Sequence, residues 1–394
     1  MLPRKLSTLI PTTARAAPFT SLPPCRGPQR SLPAAYYRGG TSRAVFFKQS
    51  DLPTDRASWD DIFRHVIGSP DPNGRQLDGL GGGISSLSKI CVVGPSTRPD
   101  VDIDYTFVAV GVKDSQVDYS SNCGNMISAV GPFAVDSQLV PAQLDGSTEA
   151  DLRIHNTNTG KIIRSRFPVE DGEAASSGSF AIDGVAGTAA KIQLDFLDPA
   201  GSRTGVLLPT GKARDIFDDV STTCIDVGNP CCFVLASDLG VKGTVTADEI
   251  DAHPTLLSRL DSIRRQAGVA MGLAHQPDCV PGSVPKIGMV STPPETQGSE
   301  PAVDVLVRAL SVGQPHRAVP ITVALALAAA AKVPGSVVAS VTRAPPIDGS
   351  GITLGHASGT LMVGAEFTLD GQLSHATVFR TARRLMEGRV FWKA

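Results

Sequence analysis

Asp118-Tyr119-Ser120-Ser121-Asn122-Cys123-Gly124-Asn125-Met126 runs straight into the apolar residues 127–135, so a small polar turn carrying one thiol opens a segment of helix length with no polar face. A helix apolar all round has to be buried on every side. The arrangement returns in the second half, where Ser311-Val312-Gly313-Gln314-Pro315-His316 leads into the apolar residues 321–331. Strand-like segments surround both: alternating at 101–110 and 191–197, apolar at 44–47, 231–236, 286–290 and 302–310. Further strands are expected at 152–156 and 161–169, joined at Asn158-Thr159-Gly160, and at 359–367 and 373–379. Amphipathic spacing predicts helices at 59–66 and 247–270, and a last helix at 380–386. Two halves, each of strands around one buried helix, predict an α+β pair of domains whose two polar turns face one cleft.

The chain has 394 residues, ample for a substantial core, and 41% hydrophobic with 19% charged residues is ordinary globular composition. A net charge of −2 gives no electrostatic case for nucleic acid or an anionic membrane, and 5% aromatics offers few stacking platforms for bases. Seven cysteines form an odd set without a C-x-x-C, which excludes a disulfide framework and structural zinc and fits an intracellular compartment. The apolar run at 319–331 is interrupted by Pro320 and is too short to span a bilayer. Residues 1–34 form a basic extension with the composition of a mitochondrial transit peptide, although its prolines would break an amphipathic helix. Mitochondrial and cytoplasmic locations both fit.

Asp78-Gly79-Leu80-Gly81-Gly82-Gly83-Ile84-Ser85-Ser86-Leu87-Ser88-Lys89 is the second informative stretch. It lacks the G-K-[ST] ending of a phosphate loop, and Ile84 stands where the third glycine of G-x-G-x-x-G belongs, so no nucleotide is expected. Its permissive backbone would let N–H groups approach an anion closely, and Lys89 at its end offers an anion contact or, desolvated, a base. A lysine before an apolar strand is more commonly a solvated end residue. Cys123 has two readings as well: a small buried thiol, or a thiolate favoured by a helix N-terminus between polar neighbours. Arg308 and His316 are comparable candidates in the second half, and each alone is more commonly structural. No G-x-S-x-G elbow is present, so Ser-His-Asp hydrolysis has no support.

Arg38-Gly39-Gly40-Thr41-Ser42, residues 78–89, Ser121-Asn122-Cys123-Gly124-Asn125, Leu207-Leu208-Pro209-Thr210-Gly211, Asp226-Val227-Gly228-Asn229-Pro230 and Arg380-Thr381-Ala382-Arg383 together resemble, in order, the PrpF family of methylaconitate and aconitate isomerases. The resemblance runs from about Tyr36 to the C-terminus. It implies the diaminopimelate-epimerase-like fold: two pseudo-symmetric domains, each a curved, mostly antiparallel sheet wrapped around a central helix, with the site between them. The first domain would take 35–200, completed by 376–394, and the second 201–375. The resemblance further implies a proton shift on an unsaturated tricarboxylate with no metal or organic cofactor, Lys89 and Cys123 being the catalytic pair. Substrate contacts are expected from Ser42, Arg43, Ser85, Ser86, Asn122, Gly124, Asn125, Asn229, Arg308 and His316, and a homodimer is the expected assembly. Arg43 replaces the lysine of many relatives, and His356-Ala357-Ser358-Gly359 replaces a more usual His-Pro-Ser-Gly, so the substrate within that class stays open. Two other readings share the fold: a tricarboxylate-binding accessory protein, and an amino-acid epimerase or racemase. The latter usually needs a second cysteine in the turn that here carries His316.

Overall fold

The first half contains β1 (Arg30–Gly39), β2 (Ser42–Lys48), α1 (Trp59–Ile67), β3 (Lys89–Pro95), β4 (Ile103–Val110), β5 (Val117–Asp118), α2 (Gly124–Asp136), β6 (Glu149–Asn156), β7 (Lys161–Glu170), β8 (Glu173–Ala174) and β9 (Ile192–Leu197). The second contains β10 (Asp215–Phe217), β11 (Val220–Asp226), β12 (Pro230–Leu235), α3 (Ala247–Ala252), α4 (Leu256–Ala270), β13 (Lys286–Ser291), β14 (Val305–Ser311), β15 (Gln314–Pro315), α5 (Ile321–Ala331), β16 (Ile352–His356), β17 (Gly359–Phe367), β18 (Leu373–Arg380) and β19 (Ala382–Trp392). The structure, a computed structural model, describes residues 29–119, 123–140, 148–294, 302–311 and 313–393.

Strand pairing repeats step for step. In the first half β1–β2 is antiparallel, β2–β3 parallel, β3–β4 antiparallel, β4–β6 parallel, and β6–β7 and β7–β9 antiparallel. The second half runs β11–β12 antiparallel, β12–β13 parallel, β13–β14 antiparallel, β14–β16 parallel, and β16–β17 and β17–β18 antiparallel. The halves join through the antiparallel pair β9–β18. A parallel pair needs a crossover. The crossovers from β4 to β6 and from β14 to β16 contain α2 and α5, the two apolar helices.

Alternation decides what each strand faces. Ala44, Phe46, Cys91 and Val93 pack with α2 in the central core, whereas Val45, Phe47, Ile90 and Val92 pack with α1 on the opposite face. In the second half Cys231, Phe233 and Val290 join α5, and Cys232, Val234, Ile287 and Met289 pack against α4. Both central helices belong to one continuous core. Met126, Ile127, Ala129, Val130 and Ala134 of α2 are fully buried, and the alanine-rich α5 is buried from Val323 to Ala330.

The α+β class and both central helices agree with the sequence. Three local expectations fail. Paired structure begins at Arg30, upstream of Ala35, while the rest of the basic extension lies outside the described residues. The helix expected at 247–270 divides at His253-Pro254 into α3, closed by a Thr246–Glu249 capping box, and α4. The last helix is instead the strand β19, which pairs with β1 from Arg30↔Trp392 to Gly39↔Ala382 and buries Val390 and Trp392 against the α1 layer. Helical propensity at Arg384, Leu385, Met386 and Glu387 yields to that ladder. Among the described residues no helix is long and apolar enough to cross a membrane.

The hairpin at Gly39-Gly40 fits closely on the start of α2: a Cβ at Gly39 would stand 2.7 Å from Asn125 O. Gly39→Ala is expected to lose about 1–3 kcal/mol of stability. Gly349→Ala, where nothing lies within 4 Å, should stay within about 0.5 kcal/mol of the parent. Urea unfolding of both variants checks this, and equal stabilities would contradict the packing.

Candidate active site

Arg38-Gly39-Gly40-Thr41-Ser42 makes the turn between β1 and β2. Arg38 Nη1 donates at 3.0 Å to Gly40 O, Thr381 O and Thr381 Oγ1, and Gly40 N–H donates to Thr381 O at 2.9 Å. This ties the turn to the Arg380-Thr381-Ala382-Arg383 motif. Asn125 Nδ2 donates to Thr41 Oγ1 at 3.0 Å, fixing the turn against the first residues of α2. Ser42, almost fully buried, faces α2, and its Oγ lies 4.0 Å from the Cys123 thiol. Cys123 is the N-cap of α2, extended at φ −118° and ψ 101°, with its own carbonyl accepting from Met126 and Ile127 N–H. Its thiol is half-buried, whereas Cys91, Cys224, Cys231 and Cys232 are buried.

Lys89 opens β3 on the face that looks at α2. It is only 7% exposed, and its Nζ lies 5.2 Å from the centroid of the Phe107 ring. Among the described residues its ammonium has neither a hydrogen bond nor an ion pair. Beneath it Cys91 lies within Coulombic reach of both Lys89 and Cys123; burial pushes that thiol well up, and its Sγ contacts Tyr105 Oη at 3.8 Å. Cys91 is held neutral, which leaves Cys123 as the thiol open to chemistry on this face.

The glycine stretch differs from the anion loop expected of it. Gly79, Leu80 and Gly81 N–H donate to Gln76 O, Val66 O and Ile67 O, and Gly83 N–H donates to Gln76 Oε1 at 2.9 Å. Buried Gln76 also receives the Ser88 hydroxyl at 2.7 Å and donates to Ser69 Oγ at 2.8 Å. The glycines permit contact with the end of α1: a Cβ at Gly79 would overlap the backbone of Ile67 and Gly68. The loop's work is to hold Lys89. Exposed Ser85 and half-buried Ser86, in the short turn before it, have hydroxyls with no hydrogen bond among the described residues.

The second half places a corresponding set at the start of α5. Asn229 occupies the turn before β12, as Thr41 does before β2, and Gly228 lies beside Thr322 in the first turn of α5. Lys286 opens β13 as Lys89 opens β3, and its Nζ lies 3.3 Å from Thr322 Oγ1. The N-cap of α5 is Pro320, where α2 has Cys123. His316, near Lys286, is held below its ordinary 6.5, first by partial desolvation and then by the charge of Lys286. The two helix starts meet: a Cβ at Gly124 would lie 2.7 Å from Ile321 Cδ1.

A loop spans both halves beside this contact. Asp183 accepts hydrogen bonds from Thr360 N–H and Thr360 Oγ1, and a Cβ at Gly184 would lie 3.2 Å from Thr41 Cγ2. His356 lies within Coulombic reach of Asp183, Arg308 and Arg380, and burial holds its imidazole below the ordinary 6.5. Arg380 is lowered to about 10 by burial; it donates through Nη1 to Phe379 O at 3.3 Å, and its Nε has no partner among the described residues.

The structure thus gathers Ser42, Lys89, Cys123, Gly124 and Asn125 at the start of α2 and places Asn229 and His316 in the second half, whose α5 start meets Gly124 through Ile321. It does not bring Arg43 or Arg308 to them. Arg43 is one residue out of phase with Ser42 and lies over the Tyr36 ring, 5.7 Å from its centroid, in the α1 layer. Arg308 is spent on Val245 O at 2.7 Å, Val307 O at 2.9 Å and Gly355 O at 3.4 Å. Asn122 lies outside the described residues. Lys286, Thr322 and Arg380 were missed by the sequence reading. The signal for Lys286 was present, since Lys286-Ile287-Gly288-Met289-Val290 repeats the lysine-then-apolar pattern of Lys89-Ile90-Cys91-Val92-Val93.

Comparison with known proteins agrees with this fold. The chain is 39% identical over 377 residues to 3-methylitaconate isomerase of Eubacterium barkeri, covering 92% of this chain and 97% of that one. It is 39% identical over 387 residues to 2-methyl-aconitate isomerase of Cupriavidus necator, with the same coverage, and 38% identical over 361 residues to (4E)-oxalomesaconate Delta-isomerase of a Novosphingobium species. The crystal structure of a methylitaconate-delta-isomerase superposes with a TM-score of 0.85 at 37% identity, covering 93% of this chain and 96% of that chain. The fold is therefore the diaminopimelate-epimerase-like one, and the chain is an isomerase. The family model for PrpF protein matches residues 29–393, leaving residues 1–28 and the last residue outside, and the chain belongs to the PrpF family.

Proposed function

We propose that this isomerase moves a proton on an unsaturated tricarboxylate such as aconitate or 2-methylaconitate, changing the position or the cis/trans geometry of the double bond, with Lys89 and Cys123 as the proton-transfer groups. The observation that carries the reading is Lys89: a residue 7% exposed whose ammonium lies against an aromatic ring with no anion beside it among the described residues. Burying a charge without a partner is costly, and an anionic substrate supplies the partner. The printed names of the relatives, methylitaconate, methylaconitate and oxalomesaconate isomerases, point to the same class of unsaturated acid.

In this mechanism a C–H allylic to the carboxylate-bearing double bond loses its proton to Lys89 or to the Cys123 thiolate. The electron pair delocalises into a dienolate, and return of a proton at the far carbon, or at the same carbon after rotation, completes the isomerisation. The N–H groups opening α2 face the developing negative charge, and Arg380 is a cation for a carboxylate near the Thr41 turn. Substrate contacts at Ser42, Asn125 and Asn229 fit this pose. An amino-acid racemase is disfavoured because Pro320, not a second thiol, opens α5.

Incubation in D₂O with cis-aconitate, trans-aconitate, 2-methylaconitate and itaconate-type acids, followed by NMR, tests the reading. Deuterium incorporation with isomer formation is expected for at least one acid. Binding without exchange would favour an accessory role instead. Lys89→Ala should lose roughly 10²–10⁴-fold in turnover with an unchanged fold, and full activity in that variant would remove Lys89 from the chemistry.

Two imidazoles near the site set a pH dependence. His316 and His356 are both held below 6.5 in the folded chain, so the unfolded chain takes up protons first as pH falls. Stability should therefore drop as pH falls below about 6.5. Thermal unfolding between pH 7.5 and 5.5 should show a smaller fall for His356→Gln than for the parent; identical slopes would contradict the assignment.

A further inference from the structure

We propose that Lys286, with Thr322 Oγ1 and the opening N–H groups of α5, holds a substrate carboxylate remote from the carbon that exchanges its proton. The inference rests on the proposed isomerisation and adds to it the means by which a polycarboxylate is fixed at its second end.

Three observations carry it. Topology places the two lysines alike: each is the first residue of the strand that runs parallel to the second strand of its half, β3 along β2 and β13 along β12. Each lies on the face that looks at the central helix. Secondly, the Lys286 ammonium has no carboxylate paired with it among the described residues, and its Nζ contacts the Thr322 hydroxyl at 3.3 Å. His316, below its ordinary value, and Cys231, whose thiol burial pushes up to about 12, are neutral near pH 7, and the Asp226 carboxylate, which also acts on Cys231, is taken up by hydrogen bonds from Ser202 Oγ, Arg203 N–H, Thr204 N–H and Thr204 Oγ1. Thirdly, α5 has no side-chain cap, and Ala324 N–H is the first to bond within it, to Pro320 O at 3.0 Å. The N–H groups of Ile321, Thr322 and Val323 are those left over at a helix start. A lone ammonium, a hydroxyl and three N–H groups are the donor set that a carboxylate satisfies.

The two ends of the site differ in one chemical respect. The first half has a thiol at its helix N-cap and a lysine with no polar contact among the described residues. The second has proline at that N-cap and a lysine already anchored to a hydroxyl. The second end can grip but lacks the thiol partner for proton transfer. Contact between Gly124 and Ile321 brings the two ends side by side, so a substrate held by one reaches the other.

The test compares Lys286→Met and Lys286→Arg with the parent, using trans-aconitate and a dicarboxylate of the itaconate type as probes, with circular dichroism to verify the fold. Lys286→Met should raise KM for trans-aconitate roughly 10- to 150-fold, the range for loss of one charge-assisted hydrogen bond, with kcat falling less than about tenfold. Lys286→Arg should recover most of the loss. A collapse of kcat at unchanged KM, or no change in either, would overturn the proposal. If the parent binds trans-aconitate without turning it over, calorimetric Kd values for parent and Lys286→Met take the place of KM. In that outcome a weakened Kd still upholds Lys286, and the isomerisation reading fails only if none of the other acids exchanges or isomerises either. A parent that neither binds nor isomerises either acid overturns both.

Discussion

At Gly124 there is no room for a side chain, because Ile321 already fills the space a β-carbon would take. That single close approach brings the N-terminal ends of two buried helices from different halves of the chain together. Helix starts carry unpaired N–H groups and partial positive charge. Two of them side by side make a place where one molecule with several negative groups is stabilised from both directions. The surrounding sheet preserves the arrangement, since α2 and α5 each belong to the crossover required by a parallel strand pair and both pack in one continuous core.

Within this near-symmetric frame the chemistry is unequal. Ser42, Lys89 and Cys123 gather at the start of α2, and the glycine-rich loop before Lys89 spends much of its hydrogen bonding on Gln76 and the end of α1. The result is a rigid support for one buried, unpaired ammonium. At the start of α5 the matching lysine rests on Thr322 and the matching cap is Pro320. On the proposed reading one end moves the proton and the other holds charge. An isomerase whose substrate needs a fixed anchor while one carbon reacts has use for both.

Much of this was legible in the sequence because it is written in periodicity. The apolar run that became α5 was read to its observed ends, and the cysteine-bearing turn was placed at a helix start. The errors have physical causes. Arg43 is expected from its place in the family motif, yet Ser42 and Ala44 occupy the inner face of β2, so Arg43 between them must point outward. The C-terminal segment looked helical by local propensity but became β19 through its long ladder with β1, a partner more than 340 residues away in sequence. Lys286 escaped because, read alone, a lysine before an apolar strand is an ordinary solvated residue. The repeated lysine-then-apolar pattern hints at the match, and the repeated strand order shows that Lys286 stands where Lys89 stands.

A crystal structure with trans-aconitate bound tests the central claim most directly. The account predicts one carboxylate within hydrogen-bond distance of Lys286 Nζ and Thr322 Oγ1, at the start of α5. It also predicts that the carbon losing its proton faces Lys89 and Cys123. A ligand seated away from the junction of α2 and α5, or one whose carboxylates leave Lys89 and Lys286 both without an anion, would contradict it.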